Sequence, residues 1–174
     1  MPISRTPTRG FTLIEILCVV ILMAIIAVVV IPQLNERGDI KAAAAARVVM
    51  ADIMYAQNRA IAKQAMQYVK FDVVAHTYEV QEGTPPSTVT NPVTLKTYTQ
   101  TFNSTAIPDV TLTSVGFDGK DTLAFDEIGA PYAYDSVAST SAALSVGTIK
   151  IAAGTYTMTL TVQPYTGEIT TSTP

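Results

Sequence analysis

RGFTLIEILCVVILMAIIAVVVIP, residues 9–32, decides how the rest of the chain is read. It follows a short polar, basic leader, MPISRTPTRG, that ends in Gly10. Residues 11–31 hold a single charge, Glu15. As a helix they extend about 31 Å at 1.5 Å per residue, enough to cross the hydrocarbon core of a bilayer. One apolar run cannot close a barrel, so a helix is the structure that satisfies its backbone in lipid. Glu15 is costly there, about 2.5–3.5 kcal/mol for a charge within an apolar span, and such a charge is usually kept for a partner. A cut after Gly10 would supply one. Phe11 would then carry a free α-amino group, cationic near neutral pH. On assembly it would lie close to Glu15 of a neighbouring copy, offsetting the burial cost.

Gly10-Phe11-Thr12-Leu13-Ile14-Glu15 resembles the prepilin peptidase motif of type IV pilins and type II secretion pseudopilins. The resemblance implies cleavage after Gly10, N-methylation of Phe11, and use of residues 11–32 first as a membrane anchor and then as a filament core. It gives Glu15 the docking role and makes Pro32 the helix bend. Basic leader, glycine, phenylalanine, glutamate and proline agree in order and spacing. A secretory signal would instead place its apolar region ahead of a small-residue cleavage site, and no A-x-A site closes this one. A lipoprotein signal needs small residues just before the modified cysteine, whereas Cys18 follows Glu15-Ile16-Leu17. Arg5 and Arg9 keep the N-terminus cytoplasmic by the positive-inside rule, which exports the C-terminal bulk.

Of the 174 residues, about 140 remain beyond the leader and span, enough for one modest domain. Cys18 is the single cysteine, so no intramolecular disulfide forms, and it reads as a small packing residue. Residues 71–174 carry three lysines, no arginine and ten acids. That balance suits phosphate backbones poorly, so no nucleic-acid partner is expected.

Pro32 lacks an N–H and crowds the preceding turn, and Gly38 costs roughly 1 kcal/mol against alanine in a helix, so 32–38 is the softest part of a long helix. Residues 33–67 form its amphipathic second half. Val49, Ile53, Ala56 and Ala60 recur at helical spacing as a stripe that faces a sheet, flanked by Met50, Met54, Ile61, Ala65 and Tyr68. Arg47, Asp52, Arg59 and Lys63 lie mainly off it.

Residues 67–74 and 77–81 alternate with period two and predict a hairpin with His76, the one histidine, exposed in its turn. The prolines of 83–92 predict a loop at the filament surface, and the Ser/Ala-rich 134–143 a second one. Strands are expected within 93–102, 110–115, 122–125, 148–152 and 155–163. The fold class is therefore α+β, which the resemblance implies is pilin-like: a long N-terminal helix, transmembrane in its first half, packed on an antiparallel β-sheet head over 68–174 that divides into two small sheets.

Several short stretches resemble H-type minor pseudopilins and the related FimT-like minor pilins: Tyr55-Ala56-Gln57-Asn58-Arg59-Ala60-Ile61-Ala62, then Tyr68-Val69-Lys70-Phe71-Asp72, Leu123-Ala124-Phe125-Asp126, Gly129-Ala130-Pro131, and Thr166-Gly167-Glu168-Ile169 in a final hairpin. Members often carry a basic residue after that last glycine; Glu168 departs from the pattern and again argues against nucleic acid. No nucleophile set is present, so no enzymatic activity and no cofactor are expected. The acids Asp118, Asp121, Asp126 and Glu127 fit no calcium loop, and no metal site is expected.

The resemblance implies a minor pseudopilin of a type II secretion system, held by the inner membrane with a periplasmic head. Its expected partners are prepilin peptidase, other pseudopilins or pilins in a helical filament, and the secretion assembly platform. The alternative is a minor type IV pilin that primes surface pili for adhesion or DNA uptake.

Overall fold

Among the described residues, two helical segments and eleven strands follow one another. The computed structural model describes residues 11–35, 38–105 and 107–173. The chain divides into two compact units, Met1–Arg37 and Gly38–Pro174.

The first unit is built on α1, Leu13–Asn35. Its apolar side chains are exposed on all faces, from Leu13 at 86% through Leu17 at 49% to Val28 at 75%. Helix α1 runs on through Pro32 to Asn35. Whether a single helix joins it to the next segment turns on residues 36–37, which lie outside the described residues.

The second unit opens with α2, Gly38–Lys63. The expected stripe is its inner face: Val49, Ile53, Ala56 and Ala60 are fully buried, joined by Ala42, Ala45 and Ala46. Burying Val49 and Ile53 contributes about 1.5–3 kcal/mol each. Five of these seven residues are alanine, so the helix lies close to the sheets, and aromatic side chains from the strands fill the space. Phe71, Tyr78, Phe102 and Phe117 form a chain of rings with centroids 5.4–5.7 Å apart. Gly38 marks the closest approach. A Cβ there would collide with the carbonyl oxygen of Ala153, so the residue that reads as a soft point is also a packing requirement. The helix ends at Lys63, earlier than its sequence pattern suggests, because Gln64 turns into the left-handed region at φ 51° and Ala65 N–H closes back on Ala60 carbonyl at 3.3 Å.

The strands form two antiparallel sheets, as expected. The first contains β1 (Gln67–Asp72), β2 (Thr77–Glu82), β3 (Ser87–Thr88), β4 (Thr99–Thr101), β6 (Thr122–Phe125), β7 (Pro131–Asp135) and β8 (Thr140–Ala143). Its order is β3-β2-β1-β6-β7-β8, with β4 also paired to β2. The second has β5 (Val110–Phe117), β9 (Gly147–Ala153), β10 (Tyr156–Val162) and β11 (Ile169–Ser172) in the order β11-β10-β9-β5. Helix α2 packs mostly on β9, β10 and β1 and so bridges both sheets.

Three expectations need correction. The stretch 134–143 is not a loop: β7 and β8 make a hairpin there, turned at 136–139, with Tyr134 opposite Ser141. Asp135 builds that turn by accepting the N–H groups of Val137 and Ala138. The proline-rich 83–92 contains β3, paired through Ser87 and Thr88 between Pro86 and Pro92. His76 is half-buried rather than exposed, and its Nδ1 lies 3.1 Å from the carbonyl of Leu112 in the other sheet.

Candidate functional site

The N-terminal motif starts from Thr12. It precedes α1 as the N-cap, and its hydroxyl accepts the N–H of Glu15 at 3.3 Å. Thr12-Leu13-Ile14-Glu15 thus has the spacing of a capping box, in which the fourth residue reaches back to the cap. Glu15 sits in the first turn, where the positive end of the helix dipole favours a carboxylate. Its position therefore softens the cost of an acid in an apolar helix. Glu15, Phe11 and Cys18 are all exposed, Phe11 at 79%. Gly10 lies outside the described residues, as does the leader. Among the described residues, no helix is long and apolar enough to cross a membrane; the side chains of α1 are described only as far as Val28.

In the second unit, three polar side chains of α2 organise the strands. Gln57 donates from one Nε2 to the carbonyl of Gly129, at 2.8 Å, and to that of Thr166, at 2.9 Å. One amide thereby holds the β6–β7 turn and the β10–β11 turn together, and with them both sheets. Gly167, at φ 70°, lies where a Cβ would stand 2.7 Å from that nitrogen. Gly129, at φ 85°, would place a Cβ 2.9 Å from Ile61. Both turns need glycine for conformation and for clearance.

Asp52 accepts hydroxyls from Tyr78 at 2.5 Å and Tyr98 at 2.9 Å. Burial, then the adjacent Asp52 charge, push both phenols far above their ordinary pKa. Tyr98 also stacks on Tyr55 with ring centroids 5.1 Å apart. Arg59 donates to Gln67, Tyr55 and Glu82 at 2.9, 3.1 and 2.8 Å, and Lys63 reaches the same Glu82 oxygen at 2.7 Å. The hydrogen bond from Lys63, then that from Arg59, hold the Glu82 carboxyl below its ordinary pKa. These three sets fasten the helix to the sheets.

The acidic residues near β6 have local duties. Asp118 accepts the N–H groups of Ser145 and Val146, and Asp126 those of Ile128 and Ala130. Among the described residues, no three histidine, cysteine or acidic side chains are grouped to hold a metal ion.

Residues 5–31 match the family model of the prokaryotic N-terminal methylation motif. No curated protein matches the chain. Among solved structures, its fold is similar to that of the minor pseudopilin EpsH from the Type 2 Secretion System of Vibrio cholerae. The TM-score is 0.54 at 15% identity, over 77% of this chain and 98% of that one. The motif is thus one of N-terminal methylation, and the fold is α+β, a long helix on antiparallel sheets as in that pseudopilin. Three of the scattered stretches singled out in the sequence meet in one place. Gln57 from the helix stretch, Gly129 before Pro131, and Thr166-Gly167 of the last hairpin form the clamp just described. Reading the chain in one dimension found these residues but missed the contact that unites them. The Thr12 cap was missed as well, although a threonine three residues before a glutamate and an apolar run is a sequence-level signal.

Proposed function

We propose that the chain is a non-catalytic minor pseudopilin of a type II secretion system. Prepilin peptidase removes the leader after Gly10, and Phe11 becomes the methylated N-terminus. Residues 11–32 anchor the subunit in the inner membrane, with the head on the periplasmic side, and then join the core of a short helical filament. Glu15 pairs with the amine of a neighbouring Phe11, and Pro32 bends the anchor. One observation carries this reading: a methylation motif stands directly ahead of a head whose fold is similar to that of a type II secretion minor pseudopilin. The polar groups of the head support it, since Asp52, Gln57, Arg59 and Glu82 are all engaged in holding the fold.

The test is a clean deletion scored in parallel for extracellular proteins and for surface pili. Loss of exported proteins with pili intact, restored by complementation, is the expected result. Loss of pili with normal export would overturn the secretion assignment in favour of a minor type IV pilin.

A further inference from the structure

Two features of the second unit have no role in the fold described above. The first is a knob. The turns held by Gln57 present Ile128 and Tyr165, which are 80% and 85% exposed. They immediately precede the two residues whose carbonyls share the Gln57 nitrogen, so they project from one fastened corner. Exposed Glu127 and Glu168 stand beside them.

The second feature is a hole. An apolar groove of about 280 Å³ opens between α2 and the segment before β5, lined by Lys41, Ala44, Val48, Ile107 and Pro108. It is close in size to the smallest ligand clefts and admits one aromatic side chain. Its rim is basic. Lys41 pairs with Asp109 at 2.6 Å, while exposed Arg47 sits one turn from Ala44 and joins no ion pair among the described residues.

Knob and hole lie on opposite sides of α2. Val48 and Gln57 are nine residues apart, about half a turn around the axis at roughly 100° per residue. A surface of this kind cannot meet itself across a two-fold axis. It meets the other side of the next copy, and such a contact propagates.

We infer that the Ile128–Tyr165 corner of one copy docks into the Lys41–Val48 groove of the next, with Glu168 and Glu127 facing Arg47 across the seam. The occupant of the groove is a second copy of this chain, because the chain itself supplies the aromatic plug and, in exposed Glu127 and Glu168, the acids that match Arg47 beside the groove. Gln57 of the clamp lies 9–16 residues along α2 from Val48 and Lys41 of the groove. Parallel copies joined this way are therefore staggered by roughly 14–24 Å along the helix. The inference rests on the reading of the chain as an assembling subunit and adds a head-to-head contact to it.

The experiment uses the full chain in membranes, with two differently tagged copies co-expressed in a Cys18→Ser background. One copy carries Val48→Cys and the other Tyr165→Cys. A disulfide between them is expected well above the level given by Val48→Cys with Val137→Cys, whose site is 95% exposed in the β7–β8 turn. Arg47→Glu is expected to lower the yield roughly two- to fivefold, the range of an exposed ion pair. Adding Glu168→Arg to the other copy restores it. Equal linking by the Val137 control, or no rescue by the charge exchange, would overturn the contact. Native Cys18, exposed on α1, serves in parallel as a reporter of anchor association. Linking through Cys18 without linking through positions 48 and 165 overturns this contact and leaves assembly standing. Absence of both overturns the two together.

Discussion

At the scale of single residues, the head is fastened by a few polar side chains whose partners are distant in sequence. Gln57 is the clearest case, because one nitrogen serves two carbonyls, 72 and 109 residues away. Gln57→Ala leaves both carbonyls without that donor and is expected to cost about 1–3 kcal/mol. Urea unfolding followed by fluorescence checks this: the midpoint falls while the slope is unchanged. Glu82 gives a pH-dependent counterpart. Its folded pKa is lowered, chiefly by the hydrogen bond from Lys63. Its contribution is therefore present above the unfolded value of about 4.3 and lost as pH falls through the folded value. The gap in urea midpoint between the native chain and Glu82→Gln is accordingly present at pH 7 and narrows as pH falls below about 4. A gap that stays constant with pH would show that Glu82 acts through packing alone.

Among elements, α2 was legible because its periodic signal is long. The four stripe residues named from spacing, Val49, Ile53, Ala56 and Ala60, are all fully buried. The hairpin of β1 and β2 and the central strand β6 were legible too, since alternation and β-branched or aromatic residues marked them. The β7–β8 hairpin was not. Its second strand, Thr-Ser-Ala-Ala, is exposed at every position and has no apolar face to alternate. It is specified by register against β7 and by Asp135 in the turn, neither of which a composition window detects. Tyr134 shows the same limit from the buried side. It packs on Tyr68 with ring centroids 4.7 Å apart, a contact that forms only once β6 lies between their strands. Gly38 tests two opposed effects within one element. Helix propensity alone makes Gly38→Ala stabilising by up to about 1 kcal/mol. The collision of the new Cβ with the backbone carbonyl of Ala153 opposes this, and neither group is the end of a flexible side chain. Overpacking of this kind costs about 1–3 kcal/mol, so net destabilisation is expected, measured as a lower thermal midpoint. A raised midpoint would show that the strand gives way.

For the whole molecule, the two units present opposite problems to water. The second has a continuous core and a largely polar surface. The first exposes apolar side chains around α1 as far as Val28, with Phe11, Leu13, Ile14 and Met23 each more than 60% exposed. A helix apolar all round requires lipid or neighbouring helices. Glu15 stands at the point where these two surroundings differ. As a first-turn residue following a threonine cap, it has a local duty in starting α1. In the filament reading it has a second duty, as the counter-charge to a neighbour's amine. Glu15→Ala removes both, so an assembly defect in that variant would not say which one matters. Glu15→Gln separates them, because glutamine serves the capping box as well as glutamate while carrying no charge. Membrane insertion is expected to be intact in both variants, since each removes a carboxylate from an apolar span. Incorporation into filaments, scored by shearing and immunoblotting beside the membrane fraction, is expected to fail equally in both. Normal incorporation of Glu15→Gln beside failure of Glu15→Ala would assign Glu15 to the start of the helix and remove the ion pair from the assembly argument.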